Sequence, residues 1–171
     1  MTSKNSGRVR VAGVFLWLAV CSWGIGLGAK LFDLVVVASA WGASPPASLE
    51  LLPYGKAYPV DPGTFFQPLS AVILVGSIGA LIAGWKSPWR PMLLAAVASF
   101  AVIWVLTPTV FWPMINELWS IHKGRLTRSD LEVVALVRRW FIWDSLRIGL
   151  ICLGFVYSVR ALCARAKLLD T

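Results

Sequence analysis

In 171 residues the chain carries 58% apolar and only 14% charged side chains, where a typical soluble domain has about 25% charged. Its formal net charge of +8 would suit nucleic-acid binding in a soluble protein, but the basic residues flank apolar stretches instead of gathering on one surface, so no nucleic-acid partner is expected. The composition also excludes disordered chains, disulfide-stapled secreted folds and large multidomain enzymes, and it points to lipid as the main solvent.

Four apolar stretches follow one another, at approximately residues 11–40, 69–85, 91–112 and 140–164. Each approaches or exceeds the roughly 17 to 25 residues that a helix rising ~1.5 Å per residue needs to cross the hydrocarbon. The sequence is therefore read as an all-α integral membrane four-helix bundle, one domain covering residues 1–171, with the bilayer as its first partner. The opening apolar run is longer than the core of a cleaved signal peptide. Gly24-x-x-x-Gly28 in the first span and Gly76-x-x-x-Ala80-x-x-x-Gly84 in the second place small residues on one stripe, where a neighbouring helix can approach closely.

Between Trp41 and Gln67 lie five of the ten prolines, which predicts a turn-rich extramembrane loop. Tyr54, Tyr58, Phe65 and Phe66 make that loop adhesive. It can either fold back over the bundle mouth or rest at the headgroup level. In the third span Pro108 is expected to kink the helix and Pro113 to end it. Ser129-x-x-Glu132 then reads as a capping box that opens a helical extension running into the fourth span. Seven of the ten tryptophans (41, 85, 89, 112, 119, 140 and 143) fall near predicted span ends, as an aromatic belt requires.

An even number of spans puts Lys4, Arg8, Arg10, Lys86, Arg90, Arg160, Arg165 and Lys167 on one side. Lys56, Lys123, Arg125, Arg128, Arg138 and Arg139 fall on the other. Eight against six predicts cytoplasmic termini in a plasma or inner membrane. Cys21, Cys152 and Cys163 lie inside spans with no C-x-x-C pair, so no dithiol catalyst is expected. One histidine, His122, cannot ligate a haem from both faces or build a two-histidine metal site, and Glu117 with His122 makes a poor metal pair. No metal and no cofactor are predicted.

Ionisable residues inside the spans are the informative feature. Lys30 and Asp33 share a helical face at i, i+3, and so do Asp144 and Arg147. Counted from Ala12, Lys30 stands roughly 27 Å up the first helix; counted back from Cys163, Arg147 stands roughly 24 Å up the fourth. Facing lipid near mid-membrane, each would cost roughly 2.5 to 3.5 kcal/mol. Facing inward, two cations and two carboxylates neutralise one another, with Gln67, Asn116 and Glu117 at the same level and the two amides taking the remaining hydrogen bonds. A neutral polar cluster is thus expected at the outer bundle mouth, with Lys30, Asp33, Asp144 and Arg147 as candidate catalytic residues. Gln67, Asn116, Glu117, His122, Trp112, Trp140 and Trp143 are the candidate binding residues.

The run Thr107-Pro-Thr-Val-Phe-Trp-Pro-Met-Ile-Asn116-Glu-Leu, with Trp140-Phe-Ile-Trp143-Asp144-Ser-Leu-Arg147 entering the last span, resembles the anthrone-oxygenase-like family of small four-span membrane proteins. Its specific part is Asn116 and the Trp143-x-x-x-Arg147 spacing. Where that family often has Asn between the last two, this chain has Asp144. The resemblance implies oxygenation of a polycyclic phenolic ketone without metal or flavin. Such chemistry needs a base, Asp33 or Asp144, cations to hold the enolate, Lys30 and Arg147, and an apolar pocket where Trp112, Trp140 and Trp143 stack on a flat aromatic substrate. Two other readings fit the same residues: a non-catalytic accessory or assembly subunit that docks another membrane subunit, and a carrier for a small solute.

Overall fold

The computed structural model describes residues 3–53 and 62–169. Helix α1 (Ser3–Phe32) runs through a π-helical turn (Asp33–Ala38) into the short α2 (Ser39–Gly42), and a 3-10 turn follows at Ala47–Leu51. Then come α3 (Pro62–Ala83), α4 (Arg90–Leu106), a second π turn (Thr107–Phe111), α5 (Trp112–His122) and α6 (Asp130–Leu169). Among the described residues there is no strand, and four helical stretches are long and apolar enough to cross a membrane. The protein is an all-α integral membrane bundle. Tyr54, Lys56 and Tyr58 lie outside the described residues.

The stretches differ in length for a reason that shapes the site. α3, with 22 residues, is about 33 Å long and matches the hydrocarbon thickness. The others, Val9–Gly42, Arg90–His122 and Asp130–Lys167, have 34, 33 and 38 residues and reach about 50 Å or more. Their excess lies at the end away from the chain termini, which we call the distal end.

Packing falls into three levels. Near the termini Leu16, Ala80, Leu81, Trp89, Leu93 and Ala161 are buried together. At mid-bundle Ala19, Trp23, Ile73, Phe100 and Ile151 form the second group, and Trp23 Nε1 donates to Ser77 Oγ at 3.2 Å. Close approach here needs glycine: a Cβ on Gly76 would stand 2.9 Å from the Ala19 backbone nitrogen, and one on Gly154 2.6 Å from the Trp23 ring. The small-residue stripe of α3 is thus a contact face. That of α1 is so only in part, because Gly24 faces Phe155 whereas nothing lies within 4 Å of a Cβ at Gly28.

The third group forms a distal cap from the overhanging helices. Trp41, Leu49, Leu52, Phe111, Met114, Leu118, Val133, Val137 and Trp140 bury one another. The 3-10 turn folds back onto this core: Ser48 Oγ donates to Trp41 O at 2.7 Å, and Trp119 Nε1 reaches Pro53 O at 3.1 Å. Of the two courses open to the first loop, its described part therefore covers the bundle mouth.

Two boundaries differ from expectation, and each difference involves proline. α3 begins at Pro62 rather than near residue 69, because a proline in the first turn lacks only an N–H that would have no helical partner anyway. Pro68 lies inside that helix. In the third span neither Pro108 nor Pro113 stops the chain. Pro108 falls in the π turn, where Trp112 N–H bonds Thr107 O across five residues, and Pro113 sits in the first turn of α5. The Thr107 and Thr109 hydroxyls donate to the carbonyls of Ile103 at 2.8 Å and Val105 at 2.7 Å. The helix therefore reaches His122 instead of ending near residue 112.

The predicted capping box is present. Ser129 N donates to Glu132 Oε2 at 2.8 Å, and Glu132 N to Ser129 Oγ at 3.4 Å. From there α6 runs unbroken into the fourth span.

Candidate functional site

Lys30 and Asp33 stand where α1 gives way to its π turn, and Asp144 and Arg147 lie one turn apart on α6. Their i, i+3 spacing puts each pair on one face. The Lys30 ammonium is hydrogen-bonded to Asp33 Oδ2, and it also lies 3.1 Å from Asp144 Oδ1 on the opposite helix. That same oxygen accepts from Arg147 Nη2. The result is an alternating row, Asp33, Lys30, Asp144, Arg147, that bridges the first and last spans.

The two inner members of the row are buried, Lys30 at 5% and Asp144 at 0% exposure. The outer two are reachable, with side-chain exposures of 16% for Asp33 and 15% for Arg147. Two positive and two negative groups leave no formal charge on the row, which allows it to sit at the edge of the hydrocarbon.

Rings from the other elements close around it. The Arg147 guanidinium lies 3.7 Å from the centroid of the Phe111 ring, and the Lys30 ammonium lies 5.4 Å from that of Trp140 and 5.8 Å from that of Phe66. Aromatic faces attract cations most where water is thin. All four spanning stretches therefore contribute a residue. Two buried polar atoms of the row, Asp144 Oδ2 and Arg147 Nε, have no hydrogen-bond partner among the described residues.

The remaining candidates lie elsewhere. Gln67 and Asn116 are exposed, and among the described residues neither side chain hydrogen-bonds to the row, contrary to expectation. Helical phase explains the first and the continued helix explains the second. One residue turns a helix by about 100°, so with Phe66 beside Lys30 the next side chain points away. Because Pro113 does not end the third span, Asn116 is carried more than a turn past Phe111.

Gln67 and Asn116, together with Trp112 at 56% exposure, instead line a separate, open distal hollow of about 650 Å3, along with Trp119, Lys123 and Arg125. Glu117 pairs with Arg128 at 3.1 Å. His122 is exposed, edge-on to Trp119 with centroids 5.5 Å apart. No metal-binding group of side chains occurs among the described residues. Trp140 is buried beside the row, and Trp143 packs partly buried against the cap core.

Phe66 and Phe111 enter the site without having been singled out as site residues. The available signal was weak: each directly precedes a candidate, Gln67 and Trp112, and phase along the helix chooses between neighbours.

Residues 58–157 match the anthrone oxygenase family model. The chain belongs to that family. The match takes in Phe66, Phe111, Trp140, Asp144 and Arg147 and begins after Lys30 and Asp33, so half of the charged row stands outside it. Neither a curated protein nor a solved structure matches the chain.

Proposed function

We propose that this member of the anthrone oxygenase family is a membrane enzyme that oxygenates a phenolic polycyclic ketone with molecular oxygen at the distal charged row. The reaction converts a ring methylene to a carbonyl. A base removes one methylene proton, the resulting enolate transfers electrons to O2 as a carbon–oxygen bond forms, and the oxygen–oxygen bond breaks with loss of the second methylene hydrogen as water. One O2 supplies the new carbonyl oxygen and the oxygen of the water.

The alternating row carries this reading, because it offers a different role at each end. Asp33 is the accessible carboxylate and acts as the base. Arg147, accessible at the other end, stabilises the enolate oxygen. Lys30 and Asp144 are positioning residues that fix the spacing between those ends. Phe66, Phe111 and Trp140 supply an apolar wall for a flat substrate and for O2. Eight basic flanking residues against six support cytoplasmic termini in a plasma or inner membrane, which would open the site on the far face.

The test is oxygen uptake with an anthrone substrate by protein reconstituted in lipid. Asp33→Asn should cut turnover roughly 100-fold or more while leaving the thermal midpoint nearly unchanged. Unchanged turnover in that variant would refute the assignment.

The row's self-neutralisation favours a second reading, in which it only fixes helix register in an accessory subunit. Under that reading no anthrone turnover is found, and Asp33→Asn lowers the midpoint alone.

A further inference from the structure

The two halves of the chain balance charge differently. The distal half of the sequence holds eight basic residues, Lys30 and Arg147 included, against seven acids, and every ion pair among the described residues lies there. Around the termini and the α3–α4 turn, eight basic residues face one acid, Asp170. Nearly all of the formal charge of +8 therefore sits at the terminal end, and its counter-ions come from outside the chain.

The basic residues of that end are not equivalent. Arg165 is committed within the protein, because its Nε donates to Val9 O at 3.1 Å and its guanidinium fills the space that a Cβ on Gly13 would need. Arg90 is not committed. Its guanidinium lies over the Trp85 ring, 3.8 Å from the centroid, yet among the described residues its side chain has no ion pair and no hydrogen bond, and its Nε is buried. Stacking occupies the face of a guanidinium, whereas its N–H donors point outward in the plane and stay free to grip a phosphate as a fork. The seat is firm, since the preceding residue, Trp89, is buried with Ala80 and Leu93. Apolar surface continues from it into the membrane: Trp85 is exposed at the span end, as are Ile82 in the last turn of α3 and Leu94, one turn beyond Arg90 on the same face of α4.

We infer that the α3–α4 turn binds a glycerophospholipid of net negative charge. The phosphate diester meets the free edge of Arg90, the glycerol lies beside Trp85 at headgroup level, and an acyl chain runs along Ile82 and Leu94. Lys86, exposed in the same turn, contributes by its charge alone. A choline headgroup would bring another cation to a surface already short of anions, and a free phosphate would leave the apolar strip unused.

The seat lies at the opposite end of the helices from the charged row, and binding is measured without turnover, so this assignment and the oxygenase reading can fail separately. The full chain in a neutral detergent would be mixed with equal amounts of dioleoyl phosphatidylglycerol and dioleoyl phosphatidylcholine, and the retained lipid counted by native mass spectrometry. One phosphatidylglycerol should be kept roughly tenfold in preference. Arg90→Lys keeps the charge and the start of α4 but loses the planar fork, and it should lower retention roughly tenfold, as should Arg90→Ala. Lys86→Ala removes the same charge as Arg90→Ala, yet should cost only about twofold because salt screens an exposed ammonium. Equal retention of the two lipids would overturn the assignment. So would a loss in Lys86→Ala as large as that in Arg90→Lys, the mark of diffuse attraction, or displacement of the lipid by excess inorganic phosphate, the mark of a free-phosphate site.

Discussion

The two ends of this molecule bury their residues in opposite senses. Toward the termini, no charged residue occurs in 11–29, 69–85, 91–111 or 148–159, and large apolar side chains such as Val14, Trp17, Ile82 and Trp104 face outward. Lipid solvates that surface, so burial there gains little, and cohesion comes from backbones brought close by Gly76 and Gly154. The distal cap resembles a soluble protein: Trp41, Leu49, Leu118 and Val133 are hidden, while Arg128, Glu132, Arg138 and Arg139 are exposed. The charged row lies where the two regimes meet, at the depth where a carboxylate can be enclosed and its neighbours in the row still reached.

Four variants, at three places in the molecule, would break or sharpen that contrast. The largest effect is expected at the junction. Asp144→Ala leaves Lys30 and Arg147 without their shared oxygen and should cost about 3–5 kcal/mol of stability. Replacing all four members, as Lys30→Met, Asp33→Leu, Asp144→Leu and Arg147→Met, should restore most of it. Denaturant titration in detergent measures both, and a quadruple variant as unstable as the single one would contradict the account of a self-neutralised row.

In the terminal half Gly76→Val pushes a side chain against the Ala19 backbone, which cannot rotate away. A loss of about 1–3 kcal/mol is expected, and a thermal midpoint equal to that of the parent protein would show that the helices do not depend on this approach. The smallest effect belongs to the cap, where Ser129→Ala removes the hydroxyl that receives Glu132 N–H. About 1 kcal/mol should be lost, visible as faster amide exchange confined to the first turn of α6.

How far the sequence revealed this arrangement depended on the kind of signal. Helix length and apolar content set the four spans, and counting ~1.5 Å per residue placed the Lys30 and Asp144 pairs at one level, where the ion pair of 3.1 Å now joins them. Ser129 and Glu132 announced their helix start through local chemistry alone. The third span was misread because proline reports only a missing N–H and a steric demand, and the π turn at Thr107–Phe111 accommodates both. Depth along the helix suggests Gln67 and Asn116 for the row, but depth gives no azimuth for Gln67, and the unbroken helix lifts Asn116 past the row. The choice of Phe66 over Gln67 is made by helix rotation, which no count along the axis can supply.

The π turn at Asp33–Ala38 acts as a phase shifter in the first span. Threading one additional residue through the same rise rotates everything beyond it by about 100° relative to a plain α-helix. Lys30 below the turn, Asp33 at its start and Trp41 above it, 4.9 Å from Trp140 between ring centroids, are thereby all aimed at α6. Winding the same residues as plain α-helix would aim the charged pair and Trp41 at different sides and uncouple the cap from the charged row, whereas deleting a single residue from the turn should keep both aimed at α6.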